Sequence, residues 1–353
     1  MFSQLPLFPE YTHQFPSTRY QGSKAKLVNW IWNEISDLDF QTCLDAFGGT
    51  GVIAYKFKQE NKTVTYNDVL RFNTHFGRAL IENSAIRLTD DDINFVLERH
   101  SEMHYPDLVE GVFHDIYFTD EENRWIDTVI TNIRHLDNPY KQSLAFFALA
   151  QACIVKRPYN LFHRKNLYVR LADVERSFGN KSSWDKPFEV WFRLFVTEAH
   201  HAIFDNTQIN YAVNQDSLSL SNDYDLVYID PPYISEKGSA TNYRDFYHFL
   251  EGLSQYDTWE EKIDFRSKHR RLKIKASRWT DKHQIHQAFD DLFAHFRASI
   301  LIVSYRSDGI PTQNDLIQLM KKYKANVRIA YYGHYQYALS TNKKSQEILL
   351  IGT

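Results

Sequence analysis

Apolar positions along the chain follow two spacings, one typical of helices and one typical of strands. The segment AKLVNWIWNEI has apolar residues at the spacing of one helix face, namely Leu27, Trp30, Ile31 and Ile35. The segments TCLDAF and KTVTYND indicate short strands that end in Asp45 and Asp68. Between them lie a glycine turn and a predicted helix from Val52 to about Gln59. This strand–turn–helix–strand order predicts the start of a parallel, doubly wound sheet.

The alternation of strands and helices breaks off between about residues 83 and 205, where the pattern is mostly helical. Strand patterns return at 208–216, 225–230 and 298–306, and a helix is indicated near NDLIQLMKKY. The segments 326–339 and 345–353 predict an antiparallel hairpin at the far edge of the sheet. We therefore predict an α/β protein: a doubly wound, mostly parallel sheet with a terminal antiparallel hairpin, interrupted by a mainly helical insertion.

Composition narrows the class of protein. With 353 residues, of which 43% are hydrophobic, the chain is long enough for one large domain with an insertion. A net charge of −3 excludes a globally basic nucleic-acid binder, so any contact with nucleic acid must use a local patch. Cys43 and Cys153 form neither a disulfide framework nor a metal-binding pattern, and we predict no metal site. Lacking a secretion signal and a long apolar run, the chain is expected to be cytoplasmic, without a membrane span.

The glycine turn DAFGGTG (45–51) and Asp68 together favour a ligand that carries a nucleoside. Glycines after a strand let the backbone approach a ligand, and the amides of the next helix face the same space. The turn lacks the Gly-Lys-Ser/Thr of a phosphate loop and departs from the dinucleotide pattern. Asp68, about twenty residues further on, is placed to accept ribose hydroxyls. A plain turn and a helix N-cap remain the structural alternatives.

The sequence Asp230-Pro231-Pro232-Tyr233 follows an apolar strand and forms a rigid corner. Proline alone can end a strand, because it donates no hydrogen bond to the ladder. The corner also suits an exocyclic amino group, whose two hydrogens the Asp230 carboxylate and the Pro231 carbonyl can accept. That arrangement points the nitrogen lone pair at an electrophile, and rigid acceptors need little reorganisation. Tyr233 offers a ring on which a flipped base can stack, worth about 1–3 kcal/mol.

In order, RYQGSK (19–24), DAFGGTG and DPPY resemble the motifs of the D12 class of adenine-N6 DNA methyltransferases. In that group a YxGSK element comes first, FxGxG follows, and a recognition region precedes DPPY. The resemblance covers most of the chain and implies the fold of S-adenosyl-L-methionine-dependent methyltransferases. It also implies a catalytic domain at 1–83 and 206–353, with DNA target recognition in the insertion at 84–205.

The resemblance assigns roles to individual residues. Those implied at the methionine end of S-adenosyl-L-methionine are Tyr20, Gly22, Ser23 and Lys24. Those implied around the rest of the cofactor are Asp45, Phe47, Gly49 and Gly51, with Asp68 at the ribose and Asp216 at the adenine amino group. The residues themselves leave two of these roles open. Lys24 also fits an exposed position in the first turn of its helix, and Asp216 fits a turn at the end of a strand.

The segment KIDFRSKHRRLKIKASRWTDK (262–282) holds nine lysines and arginines against two acids. In an acidic protein this concentration favours contact with the phosphates of DNA. The residues that we predict for this contact are Lys268, Arg270, Arg271, Lys273 and Lys275. A solvated loop or helix face is the structural alternative.

Together these features predict a site-specific methyltransferase that moves a methyl group from S-adenosyl-L-methionine to N6 of an adenine flipped out of duplex DNA. The resemblance implies a restriction–modification partner, a cognate endonuclease encoded nearby. Two alternatives remain. One is a 4-methylcytosine methyltransferase, which uses a similar corner, more often with serine in place of Asp230. The other is a catalytically silent DNA-binding subunit that keeps the fold.

Overall fold

A seven-stranded, mostly parallel sheet forms the centre of the protein. The structure is a computed structural model that describes residues 13–174, 181–333 and 345–353. Its strands are β1 (Thr42–Asp45), β2 (Thr63–Asn67), β3 (Tyr211–Val213), β4 (Leu226–Ile229), β5 (Ile234–Ser235), β6 (Ile300–Arg306), β7 (Gly309–Ile310), β8 (Val327–Tyr332) and β9 (Glu347–Gly352). The order in the large sheet is β3-β2-β1-β4-β6-β9-β8, and β5 pairs with β7 separately.

Fourteen α-helices occur in the described segments of the chain. They are α1 (Val28–Ile35), α2 (Val52–Gln59), α3 (Arg71–Gly77), α4 (Asp90–Leu97), α5 (Leu108–Val112), α6 (Asp120–His135), α7 (Pro139–Val155), α8 (Leu167–Leu171), α9 (Lys181–Asp185), α10 (Phe188–Ala202), α11 (Tyr243–Phe246), α12 (His248–Leu253), α13 (Ile285–His295) and α14 (Gln313–Met320). Of the helices in this part of the chain, none combines the length and hydropathy needed to cross a membrane.

The predicted fold is confirmed. The strands β1, β2, β3, β4 and β6 run parallel to one another, whereas β9 runs antiparallel to both β6 and β8. The predicted helix after the glycine turn has the expected bounds, and the terminal hairpin is formed by β8 and β9. Residues 334–339 of the predicted hairpin segment lie outside the described residues.

The strand order sets the place for a ligand. From β1 the sheet grows through β2 and β3 in one direction and through β4 and β6 in the other, so the order reverses between β1 and β4. Ligands of open α/β sheets bind beyond the carboxyl ends of the strands at such a reversal. Because β9 is antiparallel, its first residue, Glu347, pairs with Arg306 and lies at this same edge.

The helical region between α3 and β3 packs directly on the sheet. The helix α7 is buried from Ser143 to Val155, and its side chains belong to the same hydrophobic core as those of α2 and α3. The Tyr55 hydroxyl of α2 donates a hydrogen bond of 2.8 Å to the Ala202 carbonyl at the end of α10. The helical region therefore shares a core with one face of the sheet, which fixes its position relative to the carboxyl edge.

Candidate active site

A cleft opens at the carboxyl edge of β1 and β4. It encloses about 770 Å³, counting the space open to solvent. The predicted site residues that line it are Tyr20, Gly22, Ser23, Lys24, Asp45, Phe47, Gly49, Asp68, Asp230 and Pro232. Residues far apart in the sequence thus meet where the strand order reverses.

The glycine turn after β1 forms the floor of the cleft. Gly49 and Gly51 have φ values of +53° and +85°, which favour glycine. Gly48 lies against the ring of Tyr66, and a Cβ there would stand 2.1 Å from a ring carbon. The Tyr66 hydroxyl donates a hydrogen bond of 2.7 Å to the Gly49 carbonyl. Gly51 itself does not line the cleft; it precedes α2, whose first two residues do.

Asp68 ties this turn to the end of β2. Its carboxylate accepts hydrogen bonds from the amide of Gly49 (2.9 Å), the amide of Leu70 (2.8 Å) and the side chain of Asn73 (3.0 Å). Burial raises the pKa of Asp68 to about 6, against the opposing effect of these hydrogen bonds. The carboxylate borders the cleft, and its predicted contact with a ribose stays a prediction.

Asp45 brings a carboxyl group with an unpaired oxygen into the cleft. Its Oδ2 accepts from the Ala54 amide, whereas Oδ1 meets no hydrogen-bond partner within the described segments. Burial and, second, the nearby Asp230 raise the pKa of Asp45 to about 8. Among the described side chains that line the cleft, three carboxylates face one lysine, Lys24. A ligand with net positive charge suits this donor set, and S-adenosyl-L-methionine, with its sulfonium and ammonium groups, has that charge.

Asp45→Asn should stabilise the cofactor-free protein increasingly as the pH rises. The folded state keeps the Asp45 proton up to a pKa of about 8, whereas an unfolded aspartate loses it near 4. The folded state therefore binds more protons between these values, so wild-type stability falls as the pH rises from about 4 to 8, and asparagine removes this loss. Melting temperatures of both proteins at pH 5 and pH 8 would show a gap that widens with pH.

The control for this change is Asp225→Asn, at the opposite end of β4. Asp225 accepts from the amides of Gln41 and Thr42, which lower its pKa. Since Asp225 is ionised at both pH 5 and pH 8, its substitution should shift the melting temperature equally at both. A gap for Asp45→Asn that stays constant or narrows would contradict the prediction.

The corner after β4 holds Asp230 in a network of charged and hydroxyl groups. The Lys24 ammonium lies 2.8 Å from Oδ1 and 2.7 Å from Oδ2 of Asp230, and 2.8 Å from the Tyr233 hydroxyl. That hydroxyl is 2.9 Å from Asp230 Oδ1. Burial raises the pKa of Asp230 to about 6; Lys24 opposes the shift, and Glu347 adds to it. Pro231 is buried behind the cleft.

Lys24 is one of the residues whose surroundings the sequence left open. Only 6% of its surface is exposed, so it is not a solvated residue of a helix turn. The structure places its ammonium on Asp230, between the predicted cofactor residues and the predicted catalytic corner. Its predicted role at the methionine end of a cofactor stays a prediction.

Three further residues belong to this site and were not predicted. Trp279 lines the cleft and packs edge-to-face on Phe47, with 4.9 Å between ring centroids. Tyr243 also lines it, stacks on Tyr20, and fills the space that a Cβ on Gly22 would need. Glu347 lies beneath the corner. A carboxylate that opens the apolar strand EILLIG is the one sequence signal that pointed to it.

Asp216 does not line the cleft. It is exposed beyond β3, and its Oδ1 accepts from the Leu218 amide, so that it caps a short 3₁₀ turn. This geometry corresponds to the turn residue that the sequence left as an alternative. A neighbour of Asp216 nevertheless contacts a residue of the cleft, because the Asn214 side chain donates to the Asp68 carbonyl at 2.7 Å. A contact between Asp216 and a cofactor adenine stays a prediction.

The basic segment forms an irregular loop beside the cleft, closed by a bridge between Ile263 and Leu272. The exposed predicted DNA contacts are Lys268, Lys273 and Lys275, whereas Arg270 and Arg271 are half-buried. The half-buried pair stabilises the loop: Arg270 donates to the Phe265 carbonyl, and Arg271 lies 3.7 Å from Asp264.

The helical region adds a second basic surface next to this loop. Buried Arg157 donates to the carbonyls of Tyr117 (3.1 Å), Leu161 (3.3 Å) and Arg164 (3.2 Å) and so holds this loop in place. The side chains of Arg164 and Lys165 in the loop are exposed. The Tyr117 hydroxyl also donates to the His269 carbonyl in the basic segment, at 2.9 Å. The two basic loops therefore meet over a shared buried tyrosine.

The parallel sheet with its antiparallel last pair, and the cleft at the reversal of strand order, define the α/β fold of S-adenosyl-L-methionine-dependent methyltransferases. Residues 20–307 match the family model described as D12 class N6 adenine-specific DNA methyltransferase. The chain therefore belongs to the D12 class of adenine-specific DNA methyltransferases.

Individual relatives agree with this family. The chain is 28% identical to Type II methyltransferase M2.HphI of Haemophilus parahaemolyticus, over 96% of this chain and 97% of that protein. It is 25% identical to Type II methyltransferase M.NlaIII of Neisseria lactamica, over 86% and 88% of the two chains. It is also 26% identical to Modification methylase LlaI of Lactococcus lactis subsp. lactis, over 94% of this chain. This chain spans about half of the length of that methylase, namely 54%.

Proposed function

We propose that this protein binds S-adenosyl-L-methionine in the cleft and methylates N6 of an adenine flipped out of duplex DNA. The observation that carries the proposal is the position of Asp230. Its carboxylate stands at the rim of an anionic cleft, at the carboxyl edge where the strand order reverses. The order of RYQGSK, FGGTG and DPPY along a chain of this family supports the same assignment.

The residues proposed to hold the cofactor surround the glycine turn. Asp45 supplies a carboxylate with a free oxygen, Asp68 supplies an acceptor for ribose hydroxyls, and Gly49 leaves open space where a side chain would intrude. When bound, S-adenosyl-L-methionine supplies a methyl group on a positively charged sulfur. Phe47 and Trp279 form an aromatic wall beside this space, which excludes water from the reacting groups.

The residues proposed to hold the base are Asp230, Pro231 and Tyr233. The Asp230 carboxylate and the Pro231 carbonyl accept the two hydrogens of the amino group, and the Tyr233 ring stacks on the base. In the structure Lys24 bonds both oxygens of Asp230. The amino group therefore competes with Lys24 for these oxygens when it enters the corner. Positioning of this kind supplies most of the catalysis, because the methyl donor is already reactive.

The two basic loops form the proposed DNA surface. Lys268, Lys273 and Lys275 from the segment after α12, with Arg164 and Lys165 from the helical region, are exposed on loops that meet over Tyr117. Phosphate contacts of this kind fix the register of the protein on the duplex. We assign target recognition to 84–205 and catalysis to 1–83 and 206–353. The helical region shares a hydrophobic core with the sheet that carries the cleft, so its position relative to the cleft is fixed.

The names of the relatives support a proposed biological setting. Those named above are Type II methyltransferases or a modification methylase. We accordingly place this protein in the cytoplasm, in a restriction–modification system with a cognate endonuclease encoded nearby. Membership of the adenine-specific family favours adenine over cytosine as the target base. The intact corner and glycine turn favour an active enzyme over a silent subunit.

A labelling experiment tests this proposal. The purified protein is incubated with methyl-labelled S-adenosyl-L-methionine and unmethylated genomic DNA, which is then digested to nucleosides. We expect the label in 6-methyladenine, and none when the DNA has first been methylated to completion by the same protein. Label in 4-methylcytosine would overturn the assignment of the base. Absence of label with retained cofactor binding would instead favour the silent subunit.

A further inference from the structure

A buried carboxylate that belongs to none of the family-like motifs lies directly beneath the catalytic corner. Glu347, the first residue of β9, is completely buried. Its Oε1 lies 2.7 Å from the Tyr233 hydroxyl, accepts a hydrogen bond of 2.6 Å from Ser304, and lies 3.6 Å from the Lys24 ammonium. Burying a carboxylate is costly unless it is paired and hydrogen-bonded, so a glutamate here needs a physical reason.

The geometry gives the lysine two carboxylates within reach. Lys24 bonds Asp230 at 2.7–2.8 Å and stands 3.6 Å from Glu347. The proposed reaction needs one of these two Asp230 oxygens for the amino group of adenine. A buried ammonium that leaves Asp230 requires another negative charge, because an uncompensated buried charge is strongly unfavourable. Glu347 supplies that charge at the cost of a short side-chain movement.

We infer that Glu347 is a positioning residue that receives Lys24 when the target base displaces it from Asp230, while holding the Tyr233 hydroxyl in place. The inference rests on the proposed function. Lys24 then has two positions. In the free protein its ammonium bonds Asp230 and holds that carboxylate in place, and when the base is bound it bonds Glu347. Glu347 acts through Lys24 and Tyr233 and does not touch the reacting atoms.

The charged and titratable groups that face Asp230 and Glu347 define what a change of charge would do. Within the described part of the chain, these groups include Lys24, Asp45 of β1, Tyr228 of β4, and Tyr233. The negative charge of Glu347 adds to the raised pKa of Asp230, since like charges disfavour ionisation. Removing it should therefore lower the pKa of Asp230 and strengthen the hold of Lys24 on this carboxylate.

Glu347→Gln is the decisive variant, because glutamine keeps an acceptor for Ser304 and Tyr233 and loses only the charge. The substitution removes the Glu347 charge and leaves the Asp230 carboxylate paired with the Lys24 ammonium. Because no buried charge loses its counter-charge, the variant is expected to fold. We expect at least a tenfold lower single-turnover rate at saturating DNA and cofactor, with unchanged cofactor affinity. The acidic limb of the pH–rate profile should also move to lower pH.

Two comparisons separate this role from a merely structural one. In a Lys24→Gln background, Glu347→Gln should cost no further rate, since the side chain that it serves is gone. The control Asp127→Asn replaces another buried carboxylate that is hydrogen-bonded to a tyrosine, Tyr256, far from the cleft. It should keep the wild-type acidic limb.

The outcomes distinguish this inference from the function on which it rests. If the wild-type protein gives no 6-methyladenine, the proposed function fails. If the wild type is active and Glu347→Gln keeps both its rate and its acidic limb, the inference is wrong. An equal loss of rate in the wild-type and Lys24→Gln backgrounds would also overturn it, because Glu347 would then act independently of Lys24.

Discussion

Asp230→Ala should lower the single-turnover rate of methyl transfer by about a hundredfold to a thousandfold or more, the range for losing one preorganised polar group at a reacting centre. The carboxylate is the acceptor that orients the amino group, and no neighbouring side chain takes its position. Lys24 keeps Glu347 as a nearby counter-charge at 3.6 Å, so the fold and the cleft should persist. Rapid-mixing single-turnover assays and cofactor titration by calorimetry measure both effects.

Asp225→Ala is the matched control for this variant, since Asp225 precedes β4 and Asp230 follows it. It removes the acceptor for the amides of Gln41 and Thr42 at the opposite edge of the sheet. The control should lose some stability, roughly 0.5–1.5 kcal/mol per lost hydrogen bond at this exposed position, and keep its transfer rate. Normal turnover of Asp230→Ala would refute the proposed mechanism, whatever the control shows.

A double substitution of exposed lysines, Lys268→Ala with Lys275→Ala, should weaken DNA binding and flatten its dependence on salt. Each phosphate contact contributes about 0.9 to the slope of log K against log salt, so two lost contacts should reduce it by about 1.8. Both side chains are exposed, whereas Arg270 and Arg271 also stabilise the loop itself. Substituting the lysines therefore changes charge without changing the fold. Fluorescence anisotropy over a range of salt concentrations measures the slope.

The control removes two exposed cations from the opposite edge of the sheet, Arg297 and Lys321. They lie near the start of β6, where Lys324 bonds the Arg297 carbonyl. Replacing both with alanine changes the net charge by the same amount and should leave the slope unchanged. Equal slopes for the two double variants would show that the basic segment is ordinary solvated surface.

The parts of the site that could be predicted from the sequence are those encoded by short, contiguous stretches. The corner at 230–233 and the turn at 45–51 each combine a strand end with residues of restricted or permissive backbone. Parallel strands bring such ends together at one edge of a sheet, and in the structure Asp45, Asp68 and Asp230 line one cleft.

The residues that were missed depend on the packing of distant segments. Trp279 was counted within a basic stretch, and its ring reaches the cleft because the loop folds back onto Phe47. Tyr243 belongs to a segment with helical spacing, which says nothing about its contact with Tyr20. Glu347 was hidden because only the antiparallel pairing of β9 carries its first residue to the carboxyl edge. The hairpin of β8 and β9 was predicted, but the pairing of β9 with β6 is a long-range contact that no local pattern specifies.

The antiparallel β9 also determines when a newly made chain acquires its full site. Lys24 is translated early, Asp230 and Tyr233 much later, and Glu347 later still, yet their side chains form one network. During synthesis the lysine and the corner emerge from the ribosome before the strand that completes them. A nascent or truncated chain that stops short of Glu347 lacks the antiparallel partner of β6 and the second carboxylate, while β6 can still pair with β4. The complete network of Lys24, Asp230, Tyr233 and Glu347 therefore forms only after β9 has been translated and has docked on β6.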